Sequence, residues 1–162
     1  METTTFVVWN DSYSVGIQAI DEQHQKLIEM TNNLYNACLQ GEGTSKQYFQ
    51  AVIREAVDYI NFHFTAEEQI MERLRYPDLN KHKEEHKEFV RKVLEEVQLF
   101  EEGKYFVANN FVRFLGSWIL THIAVSDKQY SNFIDNLQEQ DKIKNRNYKK
   151  SDPEEDDGNT AD

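Results

Sequence analysis

His63-Phe64-Thr65-Ala66-Glu67 and His82-Lys83-Glu84-Glu85-His86, separated by a break at Tyr76-Pro77, decide how this chain folds. Each segment places two metal-binding residue types four positions apart. On an α-helix such residues project from one face, one turn apart. Two adjacent helices would therefore each point a pair of ligand-type side chains in one direction, with other helices supplying the rest.

The flanking sequence has the matching period. Apolar and ligand-type residues recur at helical spacing through His24, Leu27, Ile28, Thr31, Leu34, Tyr35 and Cys38, which predicts an amphipathic helix over about 19–40. Gly41 and Gly43 should end it, since glycine tolerates the left-handed conformation after a helix. Thr44 or Ser45 could cap a second helix running to about Arg75, with Phe49, Val52, Ile53, Ala56, Ile60, His63, Glu67, Ile70, Met71 and Leu74 inward. Pro77 stops that helix. Asp78 or Asn80 could cap a third, ending at Gly103, and a fourth starts between Tyr105 and Phe111. Its inward side carries Phe111, Phe114, Leu115, Trp118, Ile119, His122, Val125 and Phe133. The reading is all-α: an up-down-up-down four-helix bundle over residues 19–138, with an aromatic-bearing N-terminal arm at 1–18 packed on it. Residues 139–162 read as a charged, disordered tail, because they cannot bury enough surface to offset ordering entropy.

Composition narrows the function. The 162 residues suffice for one domain. A net charge of −11 argues against nucleic acid as a partner. Cys38 is the sole cysteine, so neither a disulfide nor a thiolate zinc site can form within the chain. No secretion signal and no membrane-length apolar run is evident, so the expected setting is the cytoplasm.

All five histidines, His24, His63, His82, His86 and His122, fall on the predicted interior. A buried imidazole without a partner costs free energy, and a metal would satisfy all five together. Glu67 lies one turn past His63, and Asp127 five residues past His122. At about 100° per residue, a gap of five leaves Asp127 about 140° from His122. A local π-bulge is therefore expected between them. Glu68, Glu84 and Glu85 read as solvated. Asp21 reads as a carboxylate at a helix N-terminus rather than a partner for His24. Imidazole and carboxylate without thiolate suit iron, zinc or manganese, and seven side chains exceed the needs of one tetrahedral zinc. They suit two metals, one with three histidines and one with two, bridged by both carboxylates.

This pattern resembles the hemerythrin family in its single-domain bacterial form. The resemblance covers about Trp9 to Tyr130. It is carried by Ile20-Asp21-Glu22-Gln23-His24 after Gly16-Ile17, by His63-Phe64-Thr65-Ala66-Glu67-Glu68, by Tyr76-Pro77 with His82 and His86, and by Trp118-Ile119-Leu120-Thr121-His122-Ile123 leading to Asp127-Lys128. It implies two non-heme, oxo- or hydroxo-bridged irons. His82, His86 and His122 would hold the six-coordinate iron and His24 and His63 the five-coordinate one, with Glu67 and Asp127 bridging. O2 would bind reversibly at the open position as peroxide. Trp118 and Ile119 are the expected pocket wall; the family more often has leucine where Ile119 stands.

Two rival chemistries fit parts of the sequence. His82-Lys83-Glu84-Glu85-His86 matches the inverted zincin pattern of a zinc peptidase, with Glu85 as general base. A di-iron oxidase, or a protein handling peroxide or nitric oxide, would use a related centre, although ferritin-like sites are richer in carboxylate and use paired Glu-x-x-His motifs. The reading adopted is an O2 binder for storage, delivery or sensing and not an enzyme. It has no membrane or nucleic-acid partner, a possible protein partner through the tail, and a monomeric or weakly oligomeric state.

Overall fold

A computed structural model describes residues 4–102 and 108–151. The expected stop at Gly103 and the earliest start at Tyr105 lie outside these residues. The architecture is an all-α bundle of four rods. The first is α1 (Gln18–Leu39). The second runs through α2 (Glu42–Tyr59), a π-helical segment (Ile60–Phe64) and α3 (Thr65–Arg73). The third is α4 (Leu79–Glu101). The fourth runs through α5 (Ala108–Trp118), a longer π-helical segment (Ile119–Asp127) and α6 (Lys128–Ser151). Among the described residues, no helix is long and apolar enough to cross a membrane.

The rods end differently from expectation. Gln40 and Gly41 (φ 112°) make the turn between α1 and α2, and Gly41 precedes α2 directly, so Gly43 is helical and neither Thr44 nor Ser45 is the cap. The second rod closes through Arg75, in the left-handed region at φ 54°. Tyr76 N–H donates to the Met71 carbonyl at 2.9 Å, and Arg75 N–H to that of Glu72 at 3.1 Å. These two bonds satisfy carbonyls at the helix end as glycine usually allows; Pro77 follows rather than causes the stop. Asp78 precedes α4 but makes no side-chain cap bond.

Apolar burial splits into two clusters. The larger contains Leu27, Leu34, Phe49, Phe89, Phe111 and Trp118 among others. The smaller contains Val15, Ile20, Met71, Tyr76 and Tyr130. A layer of buried polar side chains lies between them. Along α1 the order is Ile20, His24, Leu27, and along the fourth rod Ile119, His122, Asp127, Tyr130. Deleting a large side chain from such packing costs about 2–5 kcal/mol, so both clusters hold the polar layer in register.

The N-terminal segment lies on the bundle through specific bonds. Asn32 Oδ1 accepts from the N–H groups of Phe6 and Val7, each at 2.9 Å, and Asn32 Nδ2 donates to the Val7 carbonyl at 2.8 Å. The Phe6 ring stacks on Tyr35 at 5.0 Å. It also lies where a Cβ on Gly116 would stand, 2.6 Å from Phe6 Cε1, so Gly116 gives the ring its place. Asp21 accepts from Val15 N–H and from the Ser14 hydroxyl, both at 2.7 Å. It ties this segment to the start of α1 and does not orient His24.

At the other end, disorder was expected from Glu139, but helix α6 continues to Ser151. Residues 138–148 are all exposed, as their near-absence of apolar groups requires. The helix packs on the bundle through its first turns, where Tyr130 and Ser131 are buried. Residues 152–162 lie outside the description.

Candidate metal centre

Each rod contributes to the polar layer. α1 brings His24; the second rod brings His63 and Glu67; α4 brings His82 and His86; the fourth rod brings His122 and Asp127. All seven are at most 3% exposed. The π-helical segment Ile119–Asp127 spans His122 and Asp127, as their five-residue gap predicts. Its wider turn has a second effect: Val125, expected inward, is 50% exposed, because the register that admits Asp127 turns Val125 out. The π-helical segment at Ile60–Phe64 was not foreseen.

Two groups of donors form, Glu67 with His82, His86 and His122, and His24 and His63 with Glu67 and Asp127. Within each group the donor atoms lie within 4.8 Å of one another. Glu67 Oε2 is 3.3 Å from His63 Nε2, 3.5 Å from His82 Nε2 and 3.4 Å from His86 Nε2. Asp127 Oδ2 is 3.2 Å from His24 Nε2, and Oδ1 is 3.1 Å from His122 Nε2 and 3.4 Å from His82 Nε2. Each carboxylate thus reaches histidines of both groups.

None of these contacts has hydrogen-bond geometry. The Nε2 atoms of all five histidines, His24 Nδ1, Glu67 Oε2 and both Asp127 oxygens are buried without a hydrogen-bond partner, nine atoms in all. An orphaned buried polar atom costs about 1–3 kcal/mol, so nine together rival the whole net stability of a domain, about 5–15 kcal/mol. Lone pairs converging from five rings and two carboxylates are what cations satisfy. The donor set therefore fits a pair of metal ions.

The rings are fixed from behind, as metal-binding imidazoles generally are. His63 Nδ1 lies 2.9 Å from Gln23 Oε1, His86 Nδ1 2.9 Å from Glu68 Oε1, and His122 Nδ1 2.8 Å from Glu85 Oε2. In each case the carbonyl or carboxylate oxygen accepts the ring N–H, which leaves Nε2 as the bare donor. Tyr130 O–H donates to Glu67 Oε1 at 2.7 Å, leaving Oε2 for the centre. The expectation that Glu68 and Glu85 are solvated is thus corrected; Glu84 alone is turned outward, paired with Lys87 at 2.7 Å. Sequence spacing did not show that Gln23, Glu68 and Glu85 back the rings, because each acts on a ring from another rod. Tyr130 was findable, one turn past Asp127 on the buried side.

The electrostatics of the two π-segment histidines diverge. Burial lowers His63 to about 4, although Glu67 opposes it, so the ring is neutral at ordinary pH. Burial also lowers His122, but the Asp127 and Glu85 carboxylates prevail and raise it to about 9. The hydrogen bond with His122 in turn holds Glu85 at about 2. Positive charge is favoured beside His122, whether a proton or a metal supplies it.

Aromatic rings enclose the layer. Trp118 stacks on His122 at 3.9 Å and Phe64 on His86 at 3.8 Å. Tyr59 stacks on His63 at 4.3 Å. Ile119 is fully buried in the larger apolar cluster. The Tyr59 hydroxyl and the Trp118 indole N–H are buried without partners.

Comparison with known proteins agrees with this geometry. The model of the hemerythrin HHE cation binding domain matches residues 15–134. A bacteriohemerythrin of Stenotrophomonas maltophilia is 36% identical over 130 residues, 79% of this chain and 81% of that protein. The bacteriohemerythrin of Clostridium acetobutylicum is 33% identical over 129 residues, 76% of this chain and 97% of its own length. A wild-type hemerythrin crystal structure superposes with a TM-score of 0.68 at 27% identity, covering 78% of this chain and 96% of that one. The layer of histidines and carboxylates therefore sits in a fold and a sequence that agree with each other, and the chain belongs to the hemerythrin family, close to its single-domain bacterial members.

Proposed function

We propose that this protein binds O2 reversibly at a pair of non-heme irons held by His24, His63, Glu67, His82, His86, His122 and Asp127. The observation that carries the reading is the convergence of seven buried side chains, each with a donor atom that has no hydrogen-bond partner, into two groups that share Glu67. His82, His86 and His122 would hold one iron and His24 and His63 the other, with Glu67 and Asp127 spanning both. When bound, the ferrous pair supplies the electrons and the open coordination position that O2 needs. The chain's own side chains do the rest. Gln23, Glu68 and Glu85 hold their imidazoles with Nε2 inward, and Tyr130 fixes Glu67. Trp118 and Ile119, with Phe64, wall the centre and exclude the water that would promote loss of electrons to the ligand. A histidine-rich site with few carboxylates favours binding over O2 cleavage, so the protein acts as a carrier, store or sensor rather than an enzyme.

In the zinc-peptidase reading Glu85 would be the general base. Its Oε2 instead lies 2.8 Å from His122 Nδ1, which commits it to a ring and speaks against that role.

The test is anaerobic loading with ferrous iron, elemental analysis, then exposure to air. Two irons per chain and a visible charge-transfer band that disappears under vacuum are expected. One zinc per chain, or a band that never reverses, would refute reversible O2 binding.

A further inference from the structure

The Tyr59 hydroxyl is a buried donor with no acceptor, in a wall that is otherwise apolar. The residue is 8% exposed, and the oxygen has no hydrogen-bond partner. Its ring stacks on His63 (4.3 Å, 23°) and leans on Phe64 and Phe89 at 5.4 and 6.0 Å. Trp118 touches the same two phenylalanines from the fourth rod, at 5.9 and 4.6 Å, so Tyr59 and Trp118 belong to one wall. The Trp118 Nε1–H is likewise buried and partnerless. Tyr59 also lines a groove of about 510 Å³ between α1 and α2, with Gln23, Leu27, Met30, Asp58 and His63. The side chain thus stands between solvent and the two-histidine group.

A donor left unsatisfied in a low-dielectric wall loses about 1–3 kcal/mol, which an acceptor on a bound ligand would restore. We propose that Tyr59 O–H is a specificity-determining hydrogen-bond donor to a small ligand, O2 or an anion, bound on the His24–His63 side, with Trp118 N–H as a weaker second donor. This rests on the di-iron reading above.

The experiment uses the full chain loaded with iron, as wild type, Tyr59→Phe and Trp118→Phe, with O2 and azide as probes. In Tyr59→Phe, O2 should leave about tenfold faster and azide should bind the oxidised centre about tenfold more weakly, the loss of one net hydrogen bond. Trp118→Phe should show the same trend, smaller. Thermal unfolding of the metal-free chain supplies a readout independent of the metal. Tyr59→Phe should leave the midpoint unchanged or raise it, because no protein bond is broken. Unchanged O2 release and azide affinity at full iron content would overturn the proposal. So would iron loss in Tyr59→Phe, which would make the hydroxyl part of the metal's hold. If wild type loads iron but fails to bind O2, the O2 reading fails by itself, and the azide comparison still decides the role of Tyr59.

Discussion

The two π-helical segments do the same job with opposite legibility. Ile119–Asp127 contains both proposed ligands of its rod, and their five-residue gap announces a widened turn. Ile60–Phe64 precedes Glu67, and the four-residue gap from His63 to Glu67 looks like ordinary α-helix. A different signal was present. Tyr59, His63, Glu67 and Met71 are all buried at intervals of four. Three such steps drift about 120° on a regular helix at about 100° per residue, so a widened turn is needed to keep all four inward. Ligand spacing thus exposes a bulge only when it lies between the ligands; otherwise the core stripe must be followed across the motif. The segments also differ in charge, since the neutral amide of Gln23 backs His63 and the carboxylate of Glu85 backs His122.

The sharpest way to break this comparison is to insert one alanine in each rod. Between Val125 and Ser126 it lengthens the gap from His122 to Asp127 and turns Asp127 roughly 100° further round. Iron content should fall to one per chain or less by elemental analysis. Between Tyr59 and Ile60 the insertion moves His63 and Glu67 together. Metal binding outweighs core packing, so α2 should yield. Iron should stay near two per chain while the unfolding midpoint drops by about 5–10 °C, the effect of losing about 3 kcal/mol of packing. Equal iron loss from both insertions would remove the distinction drawn here.

Removing the supports behind the rings should have smaller effects. Glu85→Leu should weaken iron binding about 10–100-fold in a competition titration with a chelator, the usual cost of a lost orienting partner. Gln23→Leu should weaken it less, because an amide polarises its ring less than a carboxylate. A larger effect from Gln23 would reverse the electrostatic contrast between the segments.

The smallest expected effect is in the pH profile of the chelated chain. His63 is held down at about 4, so the unfolded chain binds more protons, and stability falls as pH drops from about 6.5 towards 4. His122 is held up at about 9, so its contribution is full below about 6.5 and is lost as pH rises through 9. Denaturant midpoints measured across pH should form a dome. His63→Asn should flatten its acid limb and His122→Asn its alkaline limb, and a dome unchanged by either variant would contradict these assignments.

The two levels of description divide at the boundary between one rod and the next. The inward faces of the seven candidate donors and one of the two bulges were legible, because they depend on spacing along a single helix. Other features were local yet misread. Arg75 closes the second rod in a conformation usually left to glycine, Val125 turns out once the bulge is applied to the whole stripe, and α6 continues through residues that are all exposed. Glu68 and Glu85 looked solvated because their neighbours are charged, yet each reaches a histidine 18 and 37 residues away.

By itself the amino-acid order determined which groups can hold metal and on which side of each helix they lie, since helical periodicity is a property of a few consecutive residues. Only the tertiary structure decided which Nε2 atoms meet at Glu67 and Asp127, which oxygens hold the rings from behind, and that Tyr59 and Trp118 pack on the same two phenylalanines. Those distances run between rods, and the packing of two apolar clusters on either side of the polar layer sets them.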